Sequence, residues 1–121
     1  MDGRSLVCVV DDDESVRESL PDLVRQFGFA ARAFPSAEAF LASTVVGETS
    51  CLLLDIAMPG MSGPDLQGEL TRRGLDIPIV FITAQADDTI GPRLIGLGAS
   101  ACLFKPFSDT ALIAALNTAL G

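Results

Sequence analysis

Short, uninterrupted apolar runs alternate along the chain with longer stretches in which apolar residues recur every three or four positions. The short runs predict buried strands at residues 6–10, 51–54, 77–83 and 101–104, and residues 29–34, which include Arg32, predict a weaker strand. The periodic stretches predict helices at residues 15–27, from Ser36, from Pro64 to about Arg73, at residues 89–97 and after Ser108. Pro21 lies inside the first of these helices, and we expect it to bend or locally break that helix.

Strict alternation of buried strands and helices predicts an α/β fold with a parallel sheet covered by helices on both faces. A length of 121 residues is typical of one domain, so we expect residues 1–121 to form a single domain. The hydrophobic fraction of 49% is sufficient for a packed core.

The formal net charge of -8 argues against direct binding of this domain to nucleic acid or to an anionic membrane. No apolar stretch reaches the eighteen or so residues of a membrane span, and the first five residues do not resemble a secretory signal. The three cysteines are far apart and each lies in an apolar run, which predicts reduced, buried thiols in a cytoplasmic protein. The absence of histidine excludes Ser-His and Cys-His catalysis and a histidine phosphocarrier role.

Polar residues with chemical potential follow four of the predicted strands. Asp11 and Asp12 follow the first strand, Asp55 ends the third, Thr83 ends the fourth and Lys105 follows the fifth. In a parallel α/β sheet, ligands bind beyond the carboxyl ends of the strands, so these side chains are expected to meet at one edge.

A cluster of carboxylates repels itself unless protons or a cation neutralise it. Because the candidate ligands are all oxygens, Mg²⁺ or another hard divalent cation is the expected cofactor. A carboxylate can accept a phosphoryl group covalently, and Asp55, alone at its strand tip, is the candidate acceptor. Lys105 could pair with one phosphate oxygen and Thr83 could donate a hydrogen bond to another.

Four motifs together resemble the CheY-like receiver domain of two-component response regulators. They read Val9-Val10-Asp11-Asp12, Leu53-Leu54-Asp55-Ile56-Ala57-Met58-Pro59-Gly60-Met61-Ser62-Gly63, Phe81-Ile82-Thr83-Ala84 and Phe104-Lys105-Pro106-Phe107. Their order and spacing match the family, and the resemblance covers nearly the whole chain. The segment Ser36-Ala37-Glu38-Ala39-Phe40-Leu41, with the loop after Asp55, most resembles the FixJ branch.

The resemblance implies a doubly wound, flavodoxin-like sheet with strand order 2-1-3-4-5. It implies that a sensor histidine kinase phosphorylates Asp55, and that Asp11, Asp12, Asp55 and the Ala57 backbone carbonyl hold Mg²⁺. Thr83 and Lys105 would contact the phosphate, and the bond before Pro106 would be cis. The domain would then act as a switch and not as an enzyme on an outside substrate.

FixJ-like regulators usually carry a C-terminal DNA-binding domain that regulates transcription. We therefore expect residue 121 to be a domain boundary in a longer protein, and a homodimer partner is a further expectation.

Two features depart from the family pattern on its usual output face. Cys102 occupies the position, three before the lysine, that usually holds an aromatic switch residue, and we expect Phe104 to point to the opposite face of the strand. The fourth helix contains Gly91 and Pro92, so it should start late or be weak. We expect switching through an order change in this segment.

Three other interpretations stay open. A degenerate receiver could serve as a phosphorylation-independent interaction or dimerisation module. An aspartate-nucleophile phosphatase would require a second acid where Ala57 lies. A flavodoxin-like cofactor binder would require a phosphate-binding loop after the first strand, where the acids lie instead.

Overall fold

The computed structural model describes residues 4–84 and 90–121, with the side chains of residues 90 and 91 excepted. Five parallel strands form one sheet in these residues. The strands are β1 (Leu6–Val10), β2 (Ala30–Phe34), β3 (Thr49–Asp55), β4 (Ile79–Thr83) and β5 (Ala101–Phe104). The helices are α1 (Glu14–Gln26), α2 (Ala37–Leu41), α3 (Gly63–Arg72), α4 (Ile90–Gly96) and α5 (Asp109–Leu120), and a short 3-10 helix (Val46–Glu48) precedes β3.

The strand order is β2-β1-β3-β4-β5, which confirms the predicted doubly wound, flavodoxin-like fold. β1 pairs with β2 on one side and with β3 on the other, so chain order reverses between β1 and β3. Val10, the last residue of β1, pairs with Leu54, which directly precedes Asp55. The tips of β1 and β3 are therefore neighbours at the point where such folds bind ligands.

Alternating side chains of the sheet enter two separate apolar layers. Residues such as Leu52, Leu54 and Phe81 pack on the side of α2, α3 and α4. Residues such as Leu53 and Ile82 pack on the side of α1 and α5. Burial on both faces explains why the strand sequences are continuously apolar.

Side-chain caps fix where four of the described helices begin, and three of these caps are serines. The hydroxyls of Ser36 and Ser108 accept hydrogen bonds from the backbone N–H groups of Ala39 and Ala111, as the sequence predicted. Ser62 caps α3 and forms a reciprocal capping box with Asp65. These caps define the ends of the loops that surround the carboxyl edge of the sheet.

The expectation that Pro21 locally breaks α1 is wrong, whereas the bend expected as its alternative stays a prediction. The helix runs without interruption from Glu14 to Gln26, and Pro21 is buried within it. Proline removes one backbone donor, and the packing of Leu20 and Val24 against the sheet keeps the helix continuous.

No helix in residues 4–84 and 90–121 is long and apolar enough to cross a membrane.

Candidate functional site

Three carboxylates meet at the carboxyl edge of the sheet, next to the reversal between β1 and β3. One oxygen from each of Asp11, Asp12 and Asp55 lies within 4.8 Å of the others. Asp11 and Asp55 are buried, whereas Asp12 is exposed. The structure therefore brings together the three acids that the sequence selected.

Asp11 is the most buried of the three acids, and both its carboxylate oxygens and its backbone carbonyl have hydrogen-bond partners. Its Oδ2 pairs with Lys105 Nζ at 3.0 Å, and its Oδ1 accepts a hydrogen bond of 2.9 Å from the Asp13 backbone N–H. The Arg17 side chain donates to the Asp11 backbone carbonyl at 3.1 Å. Lys105 is 94 residues away in the chain, so this ion pair connects the residue after β1 to the residue after β5.

Asp55 lies at the end of β3 and is only 8% exposed. Burial, followed by the nearby Asp11 charge, raises the pKa of Asp55 from 3.8 to about 7, against the opposing effect of Lys105. Both causes penalise the ionised carboxylate. The positive charge of Lys105 does not neutralise three ionised carboxylates, so the ionised site would attract a further cation.

Asp13 has a structural role beside the site. It is the N-cap of α1 and accepts hydrogen bonds from the Ser15 hydroxyl and the Ser15 backbone N–H. These bonds lower the pKa of Asp13. Because Asp13 is the N-cap and Glu14 is the acid of the first turn, Asp11 and Asp12 are the candidate ligands of that acidic run.

Thr83 and Lys105 are held beside each other by the backbone of β4 and β5. The Lys105 backbone N–H donates to the Thr83 carbonyl at 2.8 Å, and Thr83 is 2% exposed at the end of β4. The bond between Lys105 and Pro106 is cis, as predicted. The Lys105 amine lies against Asp11, and Thr83 ends the strand beside it.

The loop after Asp55 lies against the Asp55 backbone. Gly63, at the end of this loop, donates its N–H to the Ile56 carbonyl at 2.9 Å. A Cβ at Gly63 would lie 2.5 Å from the Asp55 carbonyl oxygen, so only glycine fits here. Ala57 is exposed in this loop, two residues after Asp55.

The chemistry of these ligands fits a hard divalent cation. The candidate ligand atoms are all oxygens, two of the three acids are buried, and burial followed by the Asp11 charge raises the pKa of Asp55. Mg²⁺ is bound in proteins by one or two carboxylates together with waters and phosphate oxygens. A thiol site is not compatible with this arrangement, because Cys8 and Cys51 are buried within the sheet.

Cys102 lies on the helix-α4 face of the sheet, where it pairs with Phe81 and packs against the apolar layer. The expectation that Phe104 points to the opposite face is wrong. The two residues are two positions apart on one strand, so alternation places them on the same face, while Leu103 enters the other layer. Phe104 pairs with Thr83 and is 40% exposed.

Helix α4 begins at Ile90, and Pro92 therefore lies in its first turn. A proline there removes no hydrogen bond, because the first N–H groups of a helix have no partner within it. The late start expected at Gly91 or Pro92 stays a prediction, because the residues directly before Ile90 are not described. Thr89 lies outside the described residues, and the predicted order change stays a prediction.

The comparison with protein families agrees with this geometry. The model of the response regulator receiver domain matches residues 7–117. The chain belongs to this family. As a receiver domain of two-component response regulators, it has the fold and the acidic pocket that its sequence predicted.

Similar curated proteins include a nodulation protein and a transcriptional regulatory protein. Nodulation protein W of Bradyrhizobium diazoefficiens is 45% identical over 116 residues, which are 96% of this chain and 51% of that protein. Transcriptional regulatory protein FixJ of Azorhizobium caulinodans is 41% identical over 115 residues, 95% of this chain and 54% of that protein. The receiver domain spans about half the length of these curated relatives.

Solved structures show the same fold. The crystal structure of FixJ-N has a TM-score of 0.84 and 36% identity, and the match covers 96% of this chain and 93% of that one. The response regulator StyR has a TM-score of 0.87 and 45% identity, and the match covers 98% of this chain and 60% of that one.

Sequence reasoning missed three residues that shape the site. Arg17 binds the Asp11 carbonyl, Gly63 leaves room for the Asp55 backbone, and Glu38 on α2 contacts the loop after Asp55. Gly63 stood out only as a loop glycine, and Arg17 and Glu38 read as ordinary surface charges on helices. Their contacts join residues far apart in sequence, which periodicity and spacing do not encode.

Proposed function

We propose that Asp55 accepts a phosphoryl group from the phosphohistidine of a sensor histidine kinase, and that the receiver domain switches in response. One observation carries this proposal: the carboxylates of Asp11, Asp12 and Asp55 converge within 4.8 Å at the sheet edge, beside the Lys105 amine. The acids can hold a divalent cation that, together with the Lys105 amine, stabilises negative charge on a transferring phosphoryl group, and one of them can attack as the nucleophile.

In the proposed transfer, an Asp55 carboxylate oxygen attacks the phosphorus atom and the bond from phosphorus to the donor nitrogen breaks, giving an acyl phosphate. Asp11, Asp12, Asp55 and the Ala57 carbonyl would hold Mg²⁺, which offsets negative charge on the phosphoryl oxygens. Lys105 exchanges its contact with Asp11 for one phosphoryl oxygen. Thr83 donates its hydroxyl to another oxygen.

Phosphorylation by a small donor tests the acceptor directly. We expect the wild-type domain, incubated with Mg²⁺ and acetyl phosphate, to gain the mass of one phosphoryl group, because the donor requires only the site itself. Intact mass spectrometry at neutral pH measures the adduct, since acyl phosphates hydrolyse. Omitting Mg²⁺ should abolish most of the signal.

The Asp55→Asn variant is the control, because it keeps the side-chain shape and removes the nucleophile. An adduct on Asp55→Asn would show that another carboxylate is the acceptor. No adduct on the wild type would favour the degenerate, phosphorylation-independent receiver.

We propose that the kinase docks in a groove next to the site. The groove has a volume of about 320 Å³ and is lined by Val16, Ser19, Leu20 and Leu23 of α1 together with Lys105, Pro106 and Phe107. Lys105 belongs both to this groove and to the acidic site. A partner helix with an apolar face would therefore reach Asp55 from here.

A bulky charge in the groove should separate kinase transfer from small-donor chemistry. We expect Ser19→Arg to slow transfer from a phosphorylated sensor-kinase domain about tenfold, a barrier change of about 1.4 kcal/mol, and to leave labelling by acetyl phosphate unchanged. Thr118→Arg is a matched control, since both residues are exposed and both hydroxyls donate to the carbonyl four residues earlier. Equal transfer to both variants would contradict docking at this groove.

We also propose that residues 1–121 form one receiver domain that acts in the cytoplasm as a signalling switch, with no outside substrate. The free thiols of Cys8, Cys51 and Cys102 support that compartment.

The names of curated relatives, such as transcriptional regulatory protein FixJ, support transcription control as the output of the whole protein. The homodimer stays a prediction, and its proposed surface is the exposed apolar set Ile95, Leu97 and Phe104.

A further inference from the structure

A carboxylate on helix α2 accepts a hydrogen bond from the loop between β3 and α3. Oε2 of Glu38 accepts a hydrogen bond of 3.3 Å from the Met61 backbone N–H. Glu38 lies in the first turn of α2, directly after the Ser36 cap that fixes where this helix begins. The Glu38 carboxylate therefore connects the capped start of α2 to the loop that joins β3 and α3.

Gly60, the residue before Met61, is shaped to let this carboxylate approach. Its φ angle is +74°, and an added Cβ would lie 2.6 Å from Glu38 Oε2. A side chain at residue 60 would therefore displace the carboxylate. The contact therefore depends both on the Glu38 carboxylate and on the absence of a side chain at Gly60.

The loop held by this contact begins at the phosphoacceptor. Asp55 is the last residue of β3, Ala57 follows two residues later, and Gly63 closes the loop on Ile56. Met58, between them, is buried in the same apolar layer as Ala37 and Phe40 of α2. Helix α2 thus contacts the loop in two ways, through apolar packing around Met58 and through the hydrogen bond from Met61 to Glu38.

We propose that Glu38 is a positioning residue that holds the β3–α3 loop so that the Ala57 carbonyl is presented to the cation. This inference rests on the proposed function, because it assigns Glu38 to the metal site formed by Asp11, Asp12 and Asp55. Glu38 acts through the loop backbone and not as a ligand. Groups that orient metal ligands in this way typically contribute tenfold or more to metal affinity when buried. Since Glu38 is exposed, its effect should be smaller.

Two variants of Glu38 separate the hydrogen bond from the charge. We expect Glu38→Ala to weaken Mg²⁺ binding about three- to tenfold, whereas Glu38→Gln, whose amide oxygen still accepts from Met61, stays within about twofold of wild type. Calorimetric Mg²⁺ titration measures both. Glu48→Ala removes one charge from another exposed position and should match wild type. Equal weakening in Ala and Gln would show a charge effect alone and would overturn the proposal.

Amide hydrogen exchange at Met61 tests the contact itself, without metal. We expect Glu38→Ala to speed Met61 exchange severalfold, and Mg²⁺ to slow this exchange in the wild type, because coupling between two sites is reciprocal. Unchanged exchange in Glu38→Ala would overturn the proposal.

Gly60→Ala supplies an independent check by a thermodynamic cycle. It should weaken Mg²⁺ binding in the wild type but add less loss in the Glu38→Ala background, because the carboxylate that it displaces is already absent. The strain of a positive φ is present in both backgrounds and cancels in the comparison. Full additivity would overturn the proposal. Wild-type protein that binds no Mg²⁺ would instead overturn the proposed function, and with it the role of Glu38.

Discussion

Gly63→Ala is expected to destabilise the domain by about 3 kcal/mol, an amount typical of overpacking a buried site. The new Cβ would lie 2.5 Å from the Asp55 carbonyl oxygen, 3.0 Å from the Phe81 ring and 3.1 Å from the Ile56 Cα. Two of these three atoms are backbone and cannot move aside. The strand tip that carries Asp55 must therefore shift, and we expect weaker phosphorylation as well as a lower melting temperature.

Chemical denaturation at constant pH measures the stability loss, and Gly68→Ala is the matched control. Gly68 lies inside the same helix, and its added Cβ meets nothing within 4 Å. Alanine should stabilise the helix there by about 0.5–1 kcal/mol, because glycine is a poor helix former. If both alanine variants change stability in the same direction, the close approach at Gly63 does not have the effect that the geometry indicates.

Asp55→Asn is expected to stabilise the metal-free domain at pH 8 by about 2 kcal/mol, because it removes a charge whose ionisation is costly in the folded state. The folded-state pKa of about 7 lies above the ordinary value of 3.8, so the folded domain binds this proton more tightly than the unfolded chain does. The wild type therefore loses stability as pH rises from about 4 to about 7. The advantage of Asp55→Asn should grow through this window and disappear below it.

Melting curves from pH 3.5 to 8 measure this difference, which corresponds to roughly 6 °C at pH 8 for a domain of this size. Asp76→Asn is a suitable control because Asp76 is exposed, and its effect should stay within about 0.5 kcal/mol. Mg²⁺ should raise the melting temperature of the wild type more than that of Asp55→Asn. A difference that does not depend on pH would contradict the assigned cause.

Agreement between sequence and structure is best where one physical signal dominates. Residues 6–10 and 101–104 form strands with the predicted bounds. A short, continuous apolar run is typical of a strand that is buried on both faces of a parallel sheet. Helix starts at Ser36 and Ser108 followed from their hydroxyl caps. The break expected at Pro21 did not follow, since packing of α1 on the sheet outweighs one missing donor.

The sequence by itself determined the strand and helix order, the membership of the receiver family and the set of residues at the strand tips. These depend on local periodicity and on motif spacing, which a linear chain records directly. Only the tertiary structure decided that Lys105 pairs with Asp11, that burial and Asp11 raise the pKa of Asp55, and that Glu38 contacts Met61. Each of these depends on the distance between groups from different elements, and that distance is set by sheet register and helix packing.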